Sequence, residues 1–223
     1  MDYRMSRSAA QLISPPPLPR PRNNLLTSEE FLEWLQPGVH ADLIGGEIYM
    51  HSPVHLRHAN LINFIDHLLR SYIEHEELGV LHREAVAVRF SLRETFMPDL
   101  AFFTKQQAAR FAETFVPVAP TFVLEALSPA TAQNDLKRKF SAYELHGVQE
   151  YWILDPQKLK HRFYRRAGDM FVEFAEDAAR IDSASIPGFW VKRGWLQPDK
   201  PPAVSACLAE ILKARKPRAR GGK

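Results

Sequence analysis

Two acids stand in surroundings that normally exclude them. Glu125 lies inside Phe122-Val123-Leu124-Glu125-Ala126-Leu127, and Asp99 follows Met97-Pro98 and leads straight into Leu100-Ala101-Phe102-Phe103. A carboxylate in the middle of a buried strand costs several kcal/mol unless it is paired or bound to a metal. Pro98 fixes the entry to its strand and removes one ladder donor. Two such acids on neighbouring strands, with their side chains on one side, make a hard oxygen site. Mg²⁺ takes such a site with one or two carboxylates plus waters and substrate phosphate. Plainer readings also fit these residues: Asp99 as a turn or cap acid, and Glu125 as the partner of an arginine.

A third element is a helix reading Asp135-Leu136-Lys137-Arg138-Lys139-Phe140-Ser141-Ala142-Tyr143, with Leu136, Phe140 and Tyr143 as its apolar stripe. Asp135, Lys139 and Tyr143 stand at i, i+4 and i+8, so they share the face beside that stripe. Lys139 is therefore set to run along the core edge toward the sheet, while Lys137 and Arg138 point more outward. An amphipathic helix with a solvated basic face has the same spacing.

The elements that must position these residues alternate in type. Thr27-Ser28-Glu29-Glu30 opens a short helix with a hydroxyl N-cap and an acidic first turn. In Ala41–Met50, two apolar runs flank Gly45-Gly46, a two-residue hairpin signal, and Ser52-Pro53 then breaks the chain. From His58 to Glu76 apolar residues recur at helical spacing, and Gly79 stops that helix. Residues 85–90, 99–103, 121–127 and 150–154 read as strands, and 104–117 as a loop or weak helix. The helix from Asp135 to His146 ends at Gly147, a hairpin turns around Ala167-Gly168-Asp169, and 204–214 form a last short helix. The class is mixed α/β. The strand–helix–strand unit at 121–154 implies one parallel pair with a right-handed crossover, and the hairpins imply antiparallel pairing elsewhere.

The 223 residues, 45% hydrophobic and 25% charged, suit one globular domain or two small ones. The sequence pI of about 9.0 hints at an anionic partner. Subtracting the +3 of residues 1–24 and the +6 of residues 213–223 from the net +3 leaves −6 for residues 25–212. The Pro- and Arg-rich residues 1–24 read as an extended or disordered arm, 25–200 as the folded domain, and 201–223 as a short helix and basic tail. That tail suits either a solubilising end or a phosphate-binding arm. A lone Cys207 excludes an intramolecular disulfide and a thiolate-rich zinc site, and fits a reducing cytoplasm. No apolar run approaches the roughly 18 residues that span a bilayer, and the first residues lack the apolar stretch of a secretory signal, so no membrane association is expected.

Other chemistry-bearing residues point less sharply. His51, His55 and His58 have zinc-like spacing but fall across Pro53, so no single helix presents all three. Gly45-Gly46 lacks the framework of a phosphate loop. Cys207 has no nearby histidine to activate it. The aromatics Trp152, Phe163, Tyr164, Trp190 and Trp195 suit a core or an interface better than base stacking, and exposed aromatics over 151–195 are compatible with a homodimer.

Taken together, Val123-Leu124-Glu125-Ala126-Leu127-Ser128-Pro129, Asp135…Lys139…Tyr143 and Gly147-Val148-Gln149-Glu150-Tyr151-Trp152-Ile153-Leu154-Asp155-Pro156 resemble the Uma-two family of endonucleases. Leu43-Ile44-Gly45-Gly46-Glu47-Ile48-Tyr49-Met50, Ser52-Pro53, His58 and Pro98-Asp99-Leu100 match upstream, and the resemblance covers about residues 27–165. It implies a bacterial protein with a restriction-endonuclease-like fold, a mixed central sheet flanked by helices, and a PD-(D/E)XK-type site. Asp99 and Glu125 would be the metal-binding acids and Lys139 the basic member, with Lys137 as fallback. The superfamily usually places that lysine two residues after the second acid, where this sequence has Leu127. Glu47, His58 and Tyr143 would border the site. The segment 84–90 departs from the family pattern, which leaves Glu84 without a role.

The chemistry implied is hydrolysis of a DNA phosphodiester, RNA not being excluded, with Mg²⁺ or Mn²⁺ on Asp99 and Glu125 and on the main-chain carbonyl of Ala126. Lys139 would orient or help deprotonate the attacking water and stabilise developing charge. The ends left would be 5′-phosphate and 3′-hydroxyl. Two strands suit two sites, so a homodimer is expected. The competing reading is a catalytically silent nucleic-acid-binding or assembly protein on a nuclease scaffold; the intact trio Asp99, Glu125 and Lys139 argues against it.

Overall fold

A computed structural model describes residues 25–51, 55–84, 86–128, 132 and 134–214. The arm 1–24, the break at Ser52-Pro53, Pro129 and the tail beyond Ala214 lie outside the described residues.

The first helix, α1 (Ser28–Trp34), forms because Thr27 and Glu30 cap each other: the Glu30 amide donates to Thr27 Oγ1 at 3.2 Å and the Thr27 amide to Glu30 Oε2 at 2.8 Å. Phe31 and Trp34 then seal a small core over β1 (Ala41–Ile44). β1 turns through Gly45 and Gly46, with φ of 61° and 87°, into β2 (Glu47–Met50). A hairpin turn with two positive φ values favours glycine at both positions. The long helix α2 (Leu56–His75) follows, with Leu61, Ile65, Leu68 and Tyr72 on its buried stripe. β3 (Gly79–Arg83), β4 (Val88–Ser91), β5 (Glu94–Phe96), β6 (Leu100–Thr104), the one-turn α3 (Lys105–Ala108) and β7 (Phe122–Ala126) come next. A π-helical turn (Asn134–Lys139) runs into α4 (Phe140–Leu145), which stops at Gly147 with φ of 82°. β8 (Glu150–Leu154), β9 (Arg162–Ala167), β10 (Met170–Phe174), β11 (Arg180–Asp182), β12 (Trp190–Lys192) and α5 (Val204–Lys213) complete the chain.

The strands form an antiparallel sheet of order β2-β1-β5-β4, a larger sheet of order β10-β9-β8-β7-β6-β3, and the ribbon β11-β12. In the larger sheet β7 and β8 are parallel, joined through the π turn and α4 as the strand–helix–strand pattern requires. β7 is buried along its whole length. Its residues alternate: Phe122, Leu124 and Ala126 join the core under α2, while Val123 faces the core containing Ala142, Tyr143 and Tyr151. By the same alternation Glu125 projects toward α4 and the smaller sheet. α5 packs Cys207 and Ile211 into the α2 core.

Several expectations are corrected. The strand read at 85–90 is β4, which starts at Val88; Ala85 is outside the described residues, and Val86 and Ala87 are not strand. The helix read from Asp135 to His146 is a π turn followed by a short α-helix. β3, β5 and the β11-β12 ribbon were not expected, being short and carrying little alternation. Trp152, Phe163, Trp190 and Trp195 are buried and Tyr164 is half-buried, so these aromatics serve mainly as core. Among the described residues no helix is long and apolar enough to cross a membrane.

Candidate active site

Glu125 and Asp99 meet because β6 and β7 pair antiparallel with Leu100 opposite Leu124, which sets Asp99 across from Glu125. The two residues lock each other through the backbone. Asp99 Oδ2 accepts the Ala126 amide at 2.7 Å, and Glu125 Oε2 accepts the Asp99 amide at 3.3 Å. The remaining oxygen of Glu125, Oε1, accepts from Lys139 Nζ at 3.0 Å and from the Tyr143 hydroxyl at 2.7 Å. The face shared by Asp135, Lys139 and Tyr143 is therefore the one that meets the sheet, and Lys139 Nζ also lies 3.4 Å from Asp135. Single π turns inside helices occur frequently at functional sites.

From the smaller sheet, Asp42 of β1 reaches the same ammonium. Its Oδ2 is 2.8 Å from Lys139 Nζ and 3.1 Å from His51 Nε2, and its Oδ1 accepts the Met97 amide at 2.7 Å. His58, in the first turn of α2, sets Nε2 3.6 Å from Asp99 Oδ1, beyond hydrogen-bond length. The space left between these groups is a cleft of about 30 Å³, bordered by Asp99, Glu125, Ala126, His58, His51 and Glu84. That is room for one or two water-sized species.

Charge is unbalanced in this cleft. Asp42, Glu125 and Asp135 converge on one lysine, Asp99 stands beside Glu125, and Asp42, Glu125, Asp135 and Lys139 are almost wholly buried. Burial, and then the carboxylates of Asp135, Asp99 and Asp42, push the Glu125 carboxyl well above the usual range despite Lys139. Burial works against the charge on Lys139, but Asp42, Glu125 and Asp135 outweigh it and hold the ammonium proton more tightly than usual. Burial also opposes the charge on Asp42, yet Lys139 and His51 hold it down to about 2. His58 is desolvated, and Asp99 still raises its pKa. A hard, oxygen-rich donor set with excess negative charge fits a divalent cation.

Asp99, Glu125, Ala126, His58, Lys139 and Tyr143 thus come together. Glu47 and Lys137 do not. Glu47 sits exposed at the hairpin end, where its Oε2 accepts from the Tyr49 hydroxyl at 2.7 Å and lies 3.5 Å from Arg138. Lys137 projects to solvent from the far side of the π turn and borders a separate groove with Glu47 and Arg138. Asp42 is the site residue the sequence reading passed over. Its signal, a lone acid in Ala41-Asp42-Leu43-Ile44, is that of Glu125 in a run too short to stand out.

This combination of a mixed α+β sheet with flanking helices and an acid–acid–lysine cleft defines a nuclease-like architecture. The profile of the family Uma2, described as "Putative restriction endonuclease", matches residues 28–195, and the chain belongs to that family. The fold is similar to a crystal structure described as a putative nuclease belonging to DUF820 from Anabaena variabilis ATCC 29413. The TM-score is 0.61 at 18% identity, over 84% of this chain and 99% of that one. No protein of curated function matches the chain. The family supports a nuclease function, which implies a nucleic-acid substrate.

Proposed function

We propose that this chain is a Mg²⁺- or Mn²⁺-dependent endodeoxyribonuclease acting as a homodimer in the cytoplasm, with its folded nuclease domain over about 25–200. The observation that carries the reading is the convergence of Asp99, Glu125 and Lys139, from the entry to β6, from β7 and from the π turn, on one buried cleft. Asp99 and Glu125 would hold the ion, with the Ala126 carbonyl as a further ligand. A bound ion in such a site acidifies its water and neutralises charge on the scissile phosphate.

The chain's own groups divide the remaining work. The amides of Asp99 and Ala126 orient the two carboxylates. Tyr143 holds Glu125 Oε1 against repulsion from its acidic neighbours. Three carboxylates within 3.4 Å keep Lys139 an ammonium, so it would hold Glu125 and lend positive charge to the phosphate side and would not accept the water's proton. His58, beside Asp99 with Nδ1 lacking a hydrogen-bond partner among the described residues, is placed to orient a water or a leaving oxygen.

The test is cleavage of supercoiled, linear and single-stranded DNA, and of RNA, by the purified chain with Mg²⁺ or Mn²⁺. The expected outcome is metal-dependent DNA cleavage that falls to background in Asp99→Ala and Lys139→Ala. Equal rates for wild type and Asp99→Ala would remove the enzymatic reading and leave a silent scaffold. Faster cleavage of RNA would move the substrate class.

A further inference from the structure

A second set of metal-ligating side chains stands beside the cleft, and two of its members, His51 and Glu84, border it. The β1–β2 hairpin extends one residue beyond its strands, since the His51 amide donates to the His40 carbonyl at 2.9 Å. With Ala41 opposite Met50, His40 and His51 form a cross-strand pair whose side chains share one face. Glu84, just after β3, comes up against both. Its Oε1 is 3.3 Å from His40 Nδ1 and 3.9 Å from His51 Nδ1, and one ligand atom from each residue lies within 4.8 Å of the others. Three ligands on one tetrahedral Zn²⁺ would stand about 3.4 Å apart.

A second, independent feature is the support behind His51. Its Nε2 lies 3.1 Å from the buried Oδ2 of Asp42, in ion-pair contact though not aligned as a hydrogen bond, and the other oxygen of Asp42 is fixed by the Met97 amide. With the ring proton on Nε2, the Nδ1 lone pair points at the Glu84 side. A carboxylate behind a histidine whose other nitrogen faces a cluster of ligands is the recurring support of protein metal sites. His40 and Glu84 are each about one-third exposed, at 38% and 34% of the side chain, which leaves an entry path and an open position.

We propose that His40, His51 and Glu84 form a second metal site, separate from Asp99 and Glu125, for a first-row divalent transition ion such as Zn²⁺. Two imidazoles and one carboxylate suit such an ion better than Mg²⁺. Binding releases the proton that otherwise lets His51 bridge Asp42 and Glu84. The ion keeps His51 on Asp42, and so braces Asp42 against Lys139, which ties this site to the lysine of the cleft. The inference does not depend on nuclease activity.

The test titrates Co²⁺ and Zn²⁺ into the full chain, the first followed by visible absorption and the second by ¹⁵N NMR of the histidine rings. Expected is a Co²⁺ spectrum retained in Asp99→Ala and weakened about tenfold or more in His40→Ala and in Glu84→Gln. Zn²⁺ should shift Nδ1 of His40 and His51 while His51 Nε2 stays protonated. Identical Co²⁺ binding in wild type and His40→Ala, or unmoved histidine signals in the wild type, would overturn the proposal and leave a His51–Glu84 ion pair. Mg²⁺-dependent cleavage by His40→Ala, measured alongside, reports on the nuclease reading separately.

Discussion

Lys139 is the residue on which the cleft balances. One ammonium faces Asp42, Glu125 and Asp135, all buried, and its loss strands three carboxylates in a poorly solvated space. Breaking a buried charge set by removing one partner costs about 3–5 kcal/mol. Lys139→Met is therefore expected to lower unfolding stability by about that amount near neutral pH, as read by urea denaturation. The sign with pH follows from the carboxylates. Without the lysine their folded pKa values rise above the unfolded ones, so the folded state holds the extra protons and stability falls as pH rises from the unfolded carboxylate range up through the raised folded values. The deficit should shrink in mild acid, where the carboxylates are protonated, and a deficit independent of pH would deny Lys139 its counter-charge role. Glu125 was legible because five apolar neighbours surround it and nothing in the local sequence satisfies it. Asp42 obeys the same rule, but its partner Lys139 lies 97 positions away, and four residues of strand give no pattern to break.

At the scale of elements, the joint between β8 and β9 carries a buried histidine that must stay neutral. His161 Nδ1 accepts the Asp155 amide at 3.1 Å and Nε2 donates to the Leu196 carbonyl at 3.2 Å, so both nitrogens are used by the uncharged ring. Burial, aided by Arg193, holds its pKa down to about 4 against the ordinary 6.5. Between those values the unfolded chain takes up a proton and the folded chain does not. The contribution of His161 is therefore fully present above pH 6.5 and is lost as pH falls toward 4. The loss amounts to roughly 3 kcal/mol across that window. His161→Gln should flatten this part of the stability–pH curve, and an unchanged curve would place the acid sensitivity elsewhere. Elements with strong periodicity, α2, β7 and β8, were readable from the chain. β3 was not, because Gly79 looks like a helix stop. The structure gives it a second task, since a Cβ there would stand 2.1 Å from the Phe103 carbonyl oxygen as β3 closes on β6. The π turn was hidden because π and α segments share side-chain types and differ only in which carbonyl each amide meets.

For the whole molecule, the question is how a chain with a net −6 between residues 25 and 212 engages a polyanion. Some of that charge is internal: Asp42, Glu125 and Asp135 are buried around Lys139, and Asp99 faces the cleft, where a divalent ion would offset it. These acids repel a distant phosphate less than a surface count suggests. The compensating positive charge is concentrated outside the folded middle, with Arg215, Lys216, Arg218, Arg220 and Lys223 contributing five cations after Ala214. Cations that neutralise phosphates displace counterions, so the logarithm of affinity falls with the logarithm of salt by about 0.9 per contact. If the tail supplies this non-specific term, deleting residues 215–223 should weaken DNA binding at low salt and reduce the magnitude of that slope by up to about 4.5. Cleavage at saturating DNA should persist, because the acids and the lysine of the cleft, Asp99, Glu125 and Lys139, are all retained. Fluorescence-anisotropy titrations of one duplex across a salt series measure the slope directly. A slope unchanged by the deletion would return the tail to a solubilising role and require the phosphate contacts to come from the folded middle, where Lys158, Lys160 and Arg162 flank the groove that adjoins the cleft at Ser128.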